Sequence, residues 1–358
     1  MTKLTQFDVL IVYSERLATS ATRATKDSVG PFRLGSKNQN YNTVYSYFLK
    51  SCHELGLTAA FTTSADIVGP GFCCSYWEFK DDKWSHHNSP CYSTLIFDKF
   101  SPTTVAIKRR RTLLFSQPHI KPFNQPALYN LFFDKLSTFN KLPLHSIPTI
   151  FLDRSTSDIQ SNIDNLSAQI DKHPYHQDFA IDYVLKDRFG SGGLNIYKIT
   201  ANNTDKISSV LQRHQKVSFI LQPFVNFTST DFRLIYLGGQ IVQAYIRQAK
   251  STDFRCNEHS GGLLTYLPLS SIPPKVIAKS NEIAKLLNNQ CSLYTLDFIV
   301  SHNGHIFFLE GNTGPGLDWN ESLPQNEFEA KRLISLVATE LCKRTQVATI
   351  QHTTRVVV

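Results

Sequence analysis

The chain has 358 residues, 41% of them hydrophobic, and a net charge of +8. That is enough for two or three domains with sizeable cores. No run approaches the ~20 apolar residues of a membrane span, and the basic balance permits an anionic partner without selecting one. The N-terminal MTKLTQFDVLIVYS lacks a signal-peptide design, because its apolar run ends at Ser14-Glu15-Arg16. Seven cysteines sit at no metal-ligand spacing, so a reduced, cytoplasmic location is expected.

Phe7–Tyr13 reads as a buried strand, Asn42–Leu55 as a helix closed by Gly56, and Leu57–Phe61 as the next strand. That order suggests a parallel sheet. Residues 71–100 are rich in aromatics and read as short strands, with a hairpin about Asp81-Asp82 and another strand over Ser93–Phe97. Core packing is the expected use of those aromatics. The basic run Lys108–Arg111 reads as a solvated face or loop. With no zinc-finger spacing, RNP motif or long basic region, nucleic acid is not the expected partner. Pro118, Pro122 and Pro126 mark a domain boundary.

From Leu128 to Leu142 the spacing predicts one helix, then a strand from Ile147 and an amphipathic helix over Asp158–Ile170. In Phe179–Lys186 the residues Phe179, Ile181, Tyr183 and Leu185 share one strand face. Asp182, Val184 and Lys186 share the other. A Gly190-Ser191-Gly192-Gly193 loop leads to a return strand, Leu194–Ile199. Such a loop can present backbone N–H groups to phosphate oxygens, with Lys186 as a point charge beside it. It is neither a Walker motif nor a dinucleotide fingerprint, and glycine-rich hairpins are common. Val217–Val225 reads as a strand, and Asp231–Arg247 as a hairpin about Gly238-Gly239. Gln248–Gly262 is a long polar loop of the kind that serves as a lid or binding loop. Pro273–Asn289 reads as a helix, Glu327–Cys342 as another, and the tail is β-prone.

Tyr294–Asn312 reads as a hairpin about Asn303-Gly304. Centring the turn there pairs Val300 with Phe307, Phe298 with Leu309 and Asp297 with Glu310. Opposed Cβ atoms lie roughly 4.5–5.5 Å apart, so one carboxyl must be protonated or a cation must sit between them. Asn312 projects to the same face. Two carboxylates and an amide oxygen suit Mg²⁺; the other reading is a solvated acidic edge.

In this order the pieces resemble the ATP-grasp superfamily, in its branch of glutathione synthetases and RimK-type ligases. The resemblance covers about residues 128–320. It implies an α/β chain: an N-terminal Rossmann-like pre-ATP-grasp domain (1–125), a small ATP-grasp lobe (126–215), a large lobe with the metal site (216–345) and a tail (346–358). Phe133-Asp134-Lys135 resembles the first nucleotide-binding lysine. Lys186 resembles the second, with Gly190, Ser191, Gly192 and Gly193 as the loop over the phosphates. Gln222 and Phe224 resemble the linker whose backbone holds the adenine edge. Asp231-Phe232-Arg233 is similar to the branch's Asp-x-Arg, and Arg247 and the run Phe254-Arg255-Cys256-Asn257 resemble the substrate and acyl-phosphate segment. Asp297, Glu310 and Asn312 match the metal ligands. The chain departs from the branch at Pro223, at Asp187-Arg188, and at 226–230, which offers no acid for the ribose hydroxyls.

The resemblance implies an ADP-forming ligase using ATP and Mg²⁺, with Mn²⁺ as a substitute. It would join a carboxylate to an amine of an amino acid or peptide through an acyl phosphate. No membrane partner is implied, and homo-oligomers occur in the family. Two rivals stand beside it: a nucleotide-binding regulatory protein without turnover, and a basic module for acidic polymers.

Overall fold

The computed structural model describes residues 4–152, 159–250, 253–257, 261–288, 292–319 and 324–355, with side chains to 346. The chain separates into two compact units, Met1–Gln125 with Gly316–Val358, and Pro126–Pro315.

The first unit begins with β1 (Thr5–Gln6) and β2 (Val9–Tyr13). All five β2 residues are buried, because the strand is central and covered on both faces. Helix α1 (Tyr41–Glu54) crosses to β3 (Ala59–Thr63), which pairs parallel with β2. Short strands β4 (Ile67–Gly69) and β5 (Phe72–Cys73) follow, then the β6 (Tyr76–Lys80) and β7 (Lys83–His87) hairpin. Its turn holds Asp81 and Asp82 at φ 51° and 59°, as a type I′ turn requires. After β8 (Cys91–Tyr92) come β9 (Leu95–Lys99), α2 (Val105–Leu114) and β10 (Lys121–Pro122). The main sheet runs β10-β9-β2-β3-β6-β7, with β9, β2 and β3 parallel.

The basic run lies on α2 and is only half solvated. Lys108 and Arg109 are exposed. Arg111 is buried and donates to Asp98 Oδ2 through Nε (3.0 Å) and Nη2 (2.7 Å), while Arg110 pairs with Glu15.

The second unit opens with α3 (Pro126–Phe133) and α4 (Lys135–Lys141). These are two helices where the spacing suggested one. Asp134 sits between them at φ −108°, and its carboxylate accepts from Leu136 N (3.0 Å). An aspartate that caps a new helix satisfies the first-turn N–H groups that a continuous helix would bond. Next come β11 (Ile150–Phe151), α5 (Ile159–Asp171), β12 (Phe179–Asp187), β13 (Ile196–Ile199), α6 (Asp205–Arg213) and β14 (Phe219–Val225). They build a sheet in the order β11-β14-β12-β13, backed by α5 and α6. Then β15 (Phe227–Leu237), β16 (Gln240–Gln248), β17 (Leu263–Leu267), α7 (Pro274–Leu287), β18 (Tyr294–Ser301) and β19 (Ile306–Asn312) form the second lobe. Its sheet runs β17-β16-β15-β18-β19. Neither α6 nor β17 was expected from the sequence.

The β18–β19 register corrects the sequence reading in part. Gly304 N donates to Ser301 O (2.9 Å) and Ser301 N to His305 O (2.8 Å), so the turn centres on His302-Asn303, with Gly304 at φ 82°. A glycine in the left-handed region after a type I turn makes this longer hairpin loop. Val300 therefore faces Ile306, and Phe298 faces Phe308. An irregularity between Asp297 and Phe298 adds one residue on β19, and Asp297 does oppose Glu310.

The turn is anchored rather than solvated. Asp178, 2% exposed, accepts from Ser301 Oγ (2.9 Å), Asn303 Nδ2 (2.5 Å) and His305 Nδ1 (2.7 Å). His305 also stacks on Tyr175 at 4.0 Å between centroids. Asp178→Ala is expected to cost roughly 1–3 kcal/mol, since it orphans the buried Ser301 hydroxyl and frees Asn303 and His305. Hydrogen exchange should then accelerate at residues 301–305; unchanged protection there would contradict the anchor.

The chain finally returns to the first unit as α8 (Pro324–Arg355), which packs on α1. Leu333, Ile334, Val337, Ala338 and Leu341 supply its buried face. Residues 316–345 thus group with the first unit, not with the large lobe, and the tail is helical through 355 rather than β. Among the described residues no helix is long and apolar enough to cross a membrane.

Candidate active site

The sheet of the first lobe has one face in the core. Tyr183, Leu185, Tyr197, Ile199, Phe219 and Leu221 pack there against α5 and α6. Alternation sends Asp182, Val184 and Lys186 to the opposite face, and cross-strand pairing adds Lys198 and Gln222. Ile181 departs from the expected pattern at 78% exposed, where the β12–β14 register is irregular.

Beyond this face lies the glycine loop. Its carbonyls are held by three side chains: Lys135 Nζ donates to Gly190 O, Asn257 Nδ2 to Gly192 O (2.8 Å) and Arg255 Nη1 to Gly193 O (3.0 Å). The backbone N–H groups of Ser191, Gly192 and Gly193 have no partner among the described residues. Space at Gly193 is tight, because a Cβ there would lie 2.5 Å from Asn257 Oδ1. Arg255 and Asn257, which the resemblance placed in the substrate segment, hold this loop. His259 lies outside the described residues.

Lys186 is half-buried, and its pKa is pushed down to about 8. Burial is the main cause; Glu310 opposes it and Lys135 adds to it. A lysine with a folded pKa below its unfolded value binds fewer protons when folded, so its stability contribution grows with pH from about 8 to 10.5. Phosphate binding at Lys186, the role the resemblance implies for it, would need the charged form and would run the opposite way. ADP affinity is expected to weaken as pH rises above 8. Lys186→Met should lose roughly tenfold at pH 7 and flatten that pH dependence. A titration series with unchanged slope in the variant would contradict the assignment.

On the second lobe, neighbouring strands place charges in register. Asp231 opposes Arg247 across β15–β16, and Arg233 opposes Asp297 across β15–β18. Arg247 donates to Asp231 Oδ1 and Oδ2 (both 2.8 Å) and to Asp297 Oδ2 (2.7 Å). Arg233 donates through Nε to Asp297 Oδ1 (2.7 Å) and through Nη2 to Oδ2 (2.5 Å). Asp231 therefore pairs with Arg247 rather than with Arg233. Burial would raise the Asp297 pKa, but the two guanidinium groups bring it below the usual carboxylate value. Asp231 has fewer cations and is pushed up to about 6, chiefly by burial.

Glu310 is the accessible acid, with its side chain 38% exposed and Oε1 3.9 Å from Arg233 Nη2. Asn312 lies two residues on, and its Oδ1 accepts from Gly314 N (2.8 Å). Gly311 between them meets α3, where a Cβ would strike the Phe132 ring at 2.4 Å. The donors Glu310, Asn312 and Asp297 are all oxygen, with Glu310 and Asn312 open to approach. This set fits a hard divalent cation.

Gln222 is buried, and its Nε2 donates to Thr149 Oγ1 (2.8 Å), which holds β14 to the end of β11. Since β11 begins at Ile150, opposite Leu221, it pairs with no residue of β14 beyond Leu221. Phe224 lies there, its ring 5.9 Å from that of Phe254.

Residues 134–335 match the RimK-like ATP-grasp domain. The chain belongs to this family. It is 33% identical over 143 residues to a probable alpha-L-glutamate ligase of Halorhodospira halophila, covering 39% of this chain and 44% of that protein. A probable alpha-L-glutamate ligase of Thioalkalivibrio sulfidiphilus is 27% identical over 229 residues, covering 62% and 69%. The chain spans under half the length of the first of these relatives. Among solved structures, D-cycloserine synthetase DcsG aligns at TM-score 0.58 with 16% identity, covering 96% of this chain and all of that one. D-alanine–D-alanine ligase from Bacillus anthracis, complexed with ATP, aligns at 0.58 with 12% identity, covering 96% and 99%. At these identities the likeness concerns the ATP-grasp fold.

Three residues of this RimK-like ATP-grasp domain escaped the sequence reading. Lys198 sits on the Lys186 face, its Nζ 3.9 Å from the Phe224 ring centroid and 3.2 Å from Asp182; strand alternation from Ile199 could have found it. Asp253 holds Arg255 against Gly193 (Nη2–Oδ2 2.7 Å). Arg188, noted as a departure, pairs with both oxygens of Asp134 (2.7 and 2.6 Å) and ties β12 to α4. That last partnership spans 54 residues and left no local signal.

Proposed function

We propose that the chain is an ADP-forming carboxylate–amine ligase that works through an acyl phosphate. The observation carrying this reading is the convergence in one RimK-like domain of Lys135 and Lys186 at a glycine loop with Arg247 and the Asp297–Glu310 pair. Lys135 and Lys186 hold the nucleotide phosphates, and the N–H groups of 191–193, without a partner among the described residues, wrap them. Gln222 and Phe224 present backbone to the adenine edge. Glu310, Asn312 and Asp297 would hold Mg²⁺, which when bound neutralises charge on phosphate oxygens. Arg247 spends Nε and Nη2 on carboxylates, and its Nη1 has no partner among the described residues. That N–H stabilises the transferring phosphoryl group and then the oxyanion formed as the amine attacks. Arg233 steadies Asp297 beside it. Arg255 and Asn257 close the glycine loop over the nucleotide. No nucleophilic side chain is required.

The glutamate-ligase names of relatives make L-glutamate the first amine to try, with peptides as carboxylate partners. The test is ADP and phosphate release from MgATP across a panel of amino acids and small peptides. Turnover confined to particular carboxylate–amine pairs supports the reading. Nucleotide binding without turnover on any pair would replace it with a regulatory role.

A further inference from the structure

The Asp297–Glu310 pair already contains a cation. Arg233 donates to Asp297 through Nε and Nη2, at 2.7 and 2.5 Å, while the same Nη2 reaches toward Glu310 Oε1 at 3.9 Å. Asp297 is fully buried, and its Oδ2 also accepts from Arg247 at 2.7 Å. Both Asp297 oxygens already accept from guanidinium groups, Oδ1 from one and Oδ2 from two. Three carboxylates (Asp231, Asp297 and Glu310) face two guanidinium groups. The Asp297 charge is thus already paired without a metal, so a bare divalent ion there would meet two guanidinium groups. A metal arriving with a polyphosphate brings its own negative charge and meets no such penalty.

We infer that Arg233 is a positioning residue that acts as the built-in counter-cation of the metal pair: it holds Asp297 and Glu310 together in the metal-free protein and keeps free divalent ions out until nucleotide arrives. This rests on the metal site of the ligase reading. Arg233 shares its remaining Nη1 with Tyr245 Oη (3.4 Å), which anchors the guanidinium from the β16 side. Removing the guanidinium leaves two opposed carboxylates without their bridging cation. Such a pair binds a divalent ion more tightly, not less.

The experiment titrates Mn²⁺ alone, without nucleotide, followed by electron paramagnetic resonance. Wild type is compared with Arg233→Met, Arg233→Lys and Arg233→Met/Glu310→Ala. Arg233→Met is expected to bind Mn²⁺ roughly tenfold or more tightly than wild type, and the added Glu310→Ala to erase that gain. Arg233→Lys keeps the charge but loses the bidentate fork, so it should fall between them; it carries the comparison if Arg233→Met does not fold. Mn²⁺ affinity in folded Arg233 variants equal to or weaker than wild type would overturn the inference. So would tight Mn²⁺ binding by wild type alone. Binding of ADP to wild type with Mn²⁺ present is measured separately, and its failure would sink the ligase reading without bearing on the Mn²⁺ comparison.

Discussion

Arg247→Met is expected to lower stability by about 3–5 kcal/mol, the usual cost of removing one partner from a buried ion pair. Arg247 is 6% exposed and serves two acids, Asp231 at 3% and Asp297 at 0%. Without it Asp231 keeps no ion-pair partner among the described residues, and Asp297 keeps only Arg233. Chemical denaturation followed by far-ultraviolet circular dichroism measures the loss. Hydrogen exchange should place it on β15, β16 and β18. The double variant Arg247→Met/Asp231→Asn provides the internal check, because it removes the orphaned charge along with its partner. It should recover part of the loss, as coupled neighbours do. Full additivity of the two changes would mean that the pair does not act as a unit. Any folded fraction of Arg247→Met should also release ADP at least 10²-fold more slowly, in line with the loss of one oxyanion donor.

Glu310→Gln is the complementary case, with a large effect on turnover and little on folding. Its side chain is 38% exposed, and its nearest cation stands at 3.9 Å. A half-exposed pair at that distance contributes roughly 0–1 kcal/mol. Thermal unfolding should therefore shift little. ADP release in MgATP should fall by about 10²–10³-fold, because the amide keeps the shape but not the charge on which the proposed metal site depends. Partial rescue by higher Mg²⁺ concentration would fit a weakened site. Normal turnover in Glu310→Gln would remove Glu310 from the metal set.

Chemistry carried by neighbours along one strand was legible in the sequence. The Asp297–Glu310 opposition, the glycine loop with Lys186, and the Gly238-Gly239 hairpin that carries Arg233 and Arg247 all follow from period two and turn composition. Even there the agreement was partly fortuitous: a turn placed one residue off was offset by an extra β19 residue at Leu309. A one-residue change of register moves every side chain to the other face, and single-sequence patterns do not show bulges.

Partners far apart in the chain were decided only by the tertiary structure. Arg188 with Asp134, Arg233 with Asp297, and Asp178 with His305 are separated by 54, 64 and 127 positions. An arginine read alone is equally a substrate group, a loop residue or half of an ion pair. Burial settles which, and burial depends on the assembled sheet. The same holds for Arg111, which looked solvated within a basic run until α2 turned it onto Asp98. The residue types of the candidate site are thus a property of the sequence. Which charges already neutralise one another depends on strand register and packing, because electrostatic energy follows distance and desolvation rather than order along the chain.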